Sequence, residues 1–195
     1  MLQAFLSFFA ILDPVGNILV FHLYSIALDT RRRLTAAVIA VVTAFVMLVA
    51  FSLGGDEVLD YLGISQESFR VAAGLLLLPP AYRLVMEGQP MPEGERRSVE
   101  PLDFALVPLA MPLIAGPGAL AATTTLSDRV GTGNTLAAIT LVLLITLAAF
   151  AFAADIFRLL GEAVLKLASR LIGIVLFAIA VDLVLDGAHD FLRNT

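Results

Sequence analysis

The chain has 195 residues, of which 59% are hydrophobic and 15% charged, with a net charge of −5, no cysteine and a mean hydropathy of +0.95. Ordinary globular chains are roughly 45–50% apolar and about 25% charged, so the apolar excess is larger than one soluble core can bury. The missing cysteine excludes disulfides, thiol redox chemistry and thiolate metal sites, and an acidic balance without a long basic run argues against nucleic acid as a partner.

A spanning helix needs about 20 mainly apolar residues, because the hydrocarbon layer is about 30 Å thick and each helical residue rises about 1.5 Å. Six stretches meet that need. The first, residues 1–28, opens MLQAFLSFFAIL without the basic n-region of a secretory signal and runs on into further apolar sequence, so it is expected to be retained. The second, residues 34–53, is free of charge, and the acidic GDEVLDYLGISQE after it reads as a loop. The third, residues 69–87, contains Arg83 a turn from its end, placed to snorkel, and Pro79-Pro80, which predicts a bend. The polar interval 86–103, rich in Pro, Glu and Arg, reads as a linker. Residues 104–127 and 130–154 form charge-free fourth and fifth spans, and the sixth, 168–187, carries Asp182 and Asp186.

Lipid offers backbone groups no partners, so only helices or closed barrels cross it, and these runs lack the alternation of barrel strands. The expected fold is an all-α integral membrane protein of six transmembrane helices. Nine Lys and Arg residues fall on the side of the first, third and fifth loops, against Arg70, Arg129 and Arg193 on the other. Basic residues near span ends stay in the cytoplasm, so both termini are expected outside.

Two spans contain helix-breaking residues at matching places: Asp13-Pro14-Val15-Gly16 in the first and Gly116-Pro117-Gly118 in the fourth, an offset of 103. The same offset carries the second span onto the fifth and the third onto the sixth. The chain thus divides into a three-helix repeat over 1–87, a cytoplasmic linker over 88–103 and a second repeat over 104–195. An odd number of spans per half makes the repeats inverted, the plan of many secondary transporters, with the first and fourth helices broken near the midplane.

Asp followed by Pro is a strong helix start, since the carboxylate accepts from orphan N–H groups and Pro fits the first helical position. Gly16 leaves the backbone open beside it, and Asn17 adds a donor and an acceptor. Pro112 and AGPGAL supply similar ingredients without an acid. Two helix starts at membrane depth present free N–H groups and positive dipole ends, suited to the carboxylate of a compact solute. The candidate binding residues are Asp13, Pro14, Gly16, Asn17, Pro112, Gly116, Pro117 and Gly118, and the candidate proton-coupling groups are Asp13 and Asp182. The opposing reading is that Asp13 only caps its helix and the glycines only permit close packing.

Other polar residues carry weaker signals. Asp182 and Asp186, a turn apart, suit a solvated helix end, and His22 suits a packing role. Thr123, Thr124 and Thr125 are expected to bond back to the preceding turn, with one free to line a pocket.

The motifs DPVGN and PLAMPLIAGPGAL, with LGISQESFRVAAG and VLDGAHDF, resemble the MarC family of bacterial and archaeal inner-membrane proteins over nearly the whole chain. The resemblance implies a six-span protein related to the lysine-exporter group, with transport of small neutral amino acids as its activity. Leu19, where many members have proline, and the double proline Pro79-Pro80 depart from the family pattern and bear on substrate fit.

The expectation is therefore a secondary transporter of glycine- or alanine-like amino acids in the cell inner membrane, with the lipid bilayer and a small amino acid as partners. A homo-oligomer is compatible with the sequence; no cofactor, no metal and no enzymatic activity are expected. The rival readings are an exporter of other small solutes or ions and a non-transporting structural membrane protein.

Overall fold

The computed structural model describes residues 1–26, 28–88 and 101–194. Most of the linker expected over 88–103 therefore lies outside the described residues. Those described are helical without a strand: α1 (Leu2–Leu12), α2 (Pro14–Ser25), α3 (Thr30–Tyr61), α4 (Gln66–Glu87), α5 (Pro101–Phe104), a wider-wound π segment (Ala105–Ile114), α6 (Pro117–Val130), α7 (Thr132–Ala151) and α8 (Ala153–Asn194). Five helices are long and apolar enough to cross a membrane, taking α1 with α2 as one. A sixth arises if Leu102–Ile114 and Pro117–Val130, bent by 49°, are counted as one span.

Helix starts follow local chemistry. Asp29 caps α3 by accepting from the Arg32 N–H at 2.7 Å, and Ser65 caps α4 by accepting from Ser68 N–H at 3.2 Å. Gly88, at φ 72°, stops α4 in the left-handed conformation that favours glycine. Two expected loops turn out to be largely helical. α3 runs on through Asp56, Glu57 and Asp60 to Tyr61, so its 32 residues reach about 48 Å at ~1.5 Å per residue, well beyond the hydrocarbon thickness. The stretch after the fifth span is also helical, and the chain turns at Gly161 (φ 76°, ψ 165°), where α8 is interrupted. α4 in turn passes through Pro79 and Pro80 as a single helix.

Packing between α4 and α8 rests on missing side chains. A Cβ on Gly74 would lie 2.6 Å from the Ala180 carbonyl oxygen, one on Gly173 2.7 Å from Leu84 Cβ, and one on Gly187 2.7 Å from the Glu67 carbonyl oxygen. Gly173, Ala180 and Gly187 recur every seven residues and so share one face of α8. The pairing of Glu67 with Gly187, Gly74 with Ala180 and Leu84 with Gly173 makes the two helices antiparallel. Small residues let helix backbones approach closely in lipid, where apolar burial supplies little drive.

Elsewhere α3 packs on the π segment, α6 and α7, while α1 and α2 pack on α7. Phe21 of α2 stacks on Phe150 with centroids 4.5 Å apart, and Tyr24 stacks on Phe104 at 4.9 Å. His22 is buried and lies flat against Phe157 at 4.2 Å, a packing role, although its Nδ1 has no hydrogen-bond partner among the described residues.

Candidate functional site

The first interruption is closed by its own residues. Asp13 sits at φ 42°, ψ 65°, a left-handed conformation that Asp tolerates better than most residues. Its Oδ1 accepts from the Gly16 N–H at 2.9 Å and so caps α2. In the other direction, Asn17 Nδ2 donates to the Leu12 carbonyl at 2.8 Å, covering an orphan acceptor at the end of α1. A Cβ on Gly16 would meet Asp13 Oδ2 at 2.0 Å, so only glycine leaves room for the capping carboxylate. Asp13 and Asn17 are 5% and 2% exposed, and Asp13 Oδ2 has no hydrogen-bond partner among the described residues.

Asn17→Leu strands the buried Leu12 carbonyl. It is expected to lower stability by about 1–3 kcal/mol, the cost of leaving a buried polar group unpaired. A chemical-denaturation midpoint equal to wild type in the same detergent would contradict this.

The second interruption has a different structure. The backbone is extended at Val107 and Met111, Ala115 N–H reaches back to Ala110 O at 2.8 Å, and Gly116 (φ −77°, ψ 171°) leads into Pro117 as the first residue of α6. No side chain caps α6. Gly116 is required because a Cβ would lie 2.4 Å from the Pro112 carbonyl, and the space over Gly118 is taken by Leu77 of α4. Leu12 and Ile18 on one side and Ile114, Ala115 and Ala119 on the other belong to one buried apolar core.

Near both interruptions lies a cavity of about 90 Å³ between α1, α6 and α8. Each helix lines it with residues spaced as one helical face: Gln3, Ser7 and Ile11 from α1; Ala122, Thr125, Leu126 and Arg129 from α6; Ile179, Asp182, Leu183 and Asp186 from α8. Ile11 stands two residues before Asp13, and Ala122 four after Gly118. Of the expected site residues only Asp182 lines this cavity. Sequence reasoning passed over Gln3, Ser7 and Arg129, although their helical spacing with Ile11 and with Ala122 was available as a signal.

Thr123 and Thr124 bond back to Leu120 O at 2.7 Å and to Ala121 O at 3.0 Å, as expected of them. Thr125 does not, and its buried hydroxyl has no partner among the described residues. Arg129 pairs with Asp186 at 2.5 Å in the cavity wall. Alongside, Arg70 of α4 reaches Asp190 at 3.3 Å and Asp128 at 3.4 Å, so ion pairs tie α4, α6 and α8 at the end of the bundle where the chain begins and ends. Asp186 stays partly exposed, as expected of a solvated helix end, and gains an ion pair there.

Residues 1–192 match the profile of the MarC family integral membrane protein. A UPF0056 membrane protein of Archaeoglobus fulgidus is 32% identical, with the match covering 97% of this chain and 92% of that protein. One from Methanocaldococcus jannaschii is 32% identical over 97% and 96% of the two chains, and one from Aquifex aeolicus 33% identical over 98% and 94%. No solved structure matches the chain. Several apolar helices of spanning length, with similarity running from end to end, place this chain in the MarC family of integral membrane proteins.

Proposed function

We propose that the protein is a secondary transporter of small neutral amino acids, glycine- or alanine-like, across the cell inner membrane. The observation that carries this reading is the pair of Pro-led helix starts, at Pro14 and Pro117, each inside an apolar span, the first beside the buried polar side chains of Asp13 and Asn17. Polar groups at membrane depth are expensive and by default functional, and paired interrupted helices are the usual place for a transported solute. The uncapped start of α6, with its N–H groups and positive dipole end, suits the solute carboxylate.

Two further features support an inverted repeat of residues 1–87 and 104–195. α4 and α8, the third helices of the two halves, run antiparallel, and each half's second helix packs on the other half's interrupted span. With the basic loops inside, both termini lie outside.

Labelled glycine should accumulate in proteoliposomes under an imposed ion gradient, and excess alanine should compete for it. Equal counts in protein-free liposomes would sink the reading. A second reading, in which the interruptions are only packing devices, draws on the way Asp13 and Asn17 satisfy the first break from within and Leu77 fills the space over Gly118. A structural protein gives no uptake and no stabilisation by glycine.

A further inference from the structure

We infer that the cavity between α1, α6 and α8 is a binding site for a compact solute carrying a primary ammonium group, held by Asp182, Thr125 and Ser7 and covered by the Arg129–Asp186 ion pair.

The order of residues along the three helices layers the cavity. Gln3, Arg129 and Asp186 form the level nearest the helix ends, and Ser7, Thr125 and Asp182 stand about one turn deeper. Ile11, Ala122 and Ile179 close the inner end. The middle level therefore presents two hydroxyls and a carboxylate. An ammonium group has three N–H donors and no acceptor, so three oxygens at one level match it.

Charge points the same way. Arg129 is paired with Asp186 at 2.5 Å, whereas Asp182, which is partly exposed, makes no ion pair among the described residues and brings a carboxylate to the cavity that is free to meet a cation. Thr125 is the independent sign of a ligand: its side chain is over nine-tenths buried and its hydroxyl has no partner, although the two threonines before it both bond back to the helix. Buried polar groups are nearly always paired, so an unpaired one lining a polar cavity asks for an occupant. The volume is about that of three waters at ~30 Å³ each, and it suits a solute of a few heavy atoms.

As a step of transport this site rests on the reading above, giving the solute a position between the helix ends and the interruptions. As a binding site it stands on its own contacts.

Purified full-length protein in detergent, titrated calorimetrically with glycine, glycinamide and acetate, tests it. Glycine and glycinamide are expected to bind and acetate not to. Asp182→Asn and Thr125→Val should each weaken glycinamide at least tenfold, and Thr125→Ser should restore it, while melting temperatures stay near wild type. Because Thr125→Val exchanges only the hydroxyl for a methyl group of similar size, its comparison with wild type stands even if Asp182→Asn misfolds. Wild-type affinity in Asp182→Asn and Thr125→Val, no binding of glycinamide, or equal occupancy by sodium ion alone would each overturn the site. Uptake with unchanged binding in these variants overturns this site and leaves the transport reading standing. Asp182-dependent binding without any uptake does the reverse.

Discussion

Leucine at Gly74 is expected to cost about 3 kcal/mol of stability, the upper part of the usual range for overpacking, and Gly173→Leu about the same. At Gly74 the first added atom already lies 2.6 Å from the Ala180 carbonyl oxygen and 3.1 Å from the Val184 backbone nitrogen. Those are backbone atoms of a helix and cannot swing aside as a side-chain tip does. The α4 and α8 axes must separate, and every contact along the seam loosens together, including the pairing of Arg70 with Asp190. Gly133→Ala is the contrasting case. Nothing lies within 4 Å of its Cβ, so alanine should be neutral or stabilising by about 0.4–1 kcal/mol through the unfolded chain. Thermal unfolding followed by circular dichroism separates the two, and a Gly74→Leu protein melting with wild type would show that the seam is not closely packed.

The seam illustrates what a sequence does and does not reveal. Gly173, Ala180 and Gly187 are visible as a seven-residue pattern, yet nothing local says that Gly74 faces Ala180, since helix pairing is a property of the whole bundle. The spans themselves were legible because hydropathy reports directly on solvent. Their ends were not: Asp56, Glu57 and Asp60 end an apolar run but are sterically acceptable in a helix, so α3 continues beyond the charge-free segment to Tyr61. Likewise the helix after the fifth span stops at Gly161, the position that takes φ 76°, and not where its hydropathy falls.

At the site the same division appears. Asp13 capping α2 follows from Asp-Pro chemistry alone, and the required Gly16 follows from the cap. Asn17 bonding backwards to Leu12 depends on the left-handed turn at Asp13, which the sequence does not display. Arg129 is an exposed residue at the end of α6 whose pairing no local pattern displays. Its acid partner comes from a helix 57 residues further along the chain.

Asp13→Ala is expected to reduce glycine uptake to near background and to lower stability by about 2–3 kcal/mol. That figure is the middle of the roughly 1.5–4 kcal/mol reached by adding the loss of an N-cap, about 0.5–2 kcal/mol, to about 1–2 kcal/mol for a Cβ residue without local hydrogen bonding in the left-handed region. Without the bond to Gly16 N–H the turn at φ 42° has nothing to hold it, and Asn17 loses its alignment on Leu12. Asp13→Gly accepts the backbone angle and should recover much of the stability but not the cap. Asp13→Asn retains an oxygen for Gly16 N–H, removes the capacity to ionise and puts an amide NH2 in place of Oδ2. A cap is all that the observed contacts require of this side chain, so Asp13→Asn should fold, and transport with the rate and pH dependence of the wild type. Loss of uptake by a folded Asp13→Asn protein would assign the carboxyl the second task of carrying a proton. The two oxygens divide along the same line: Oδ1 is occupied by the cap, and Oδ2, buried and unpartnered among the described residues, is the atom on which such a proton would ride.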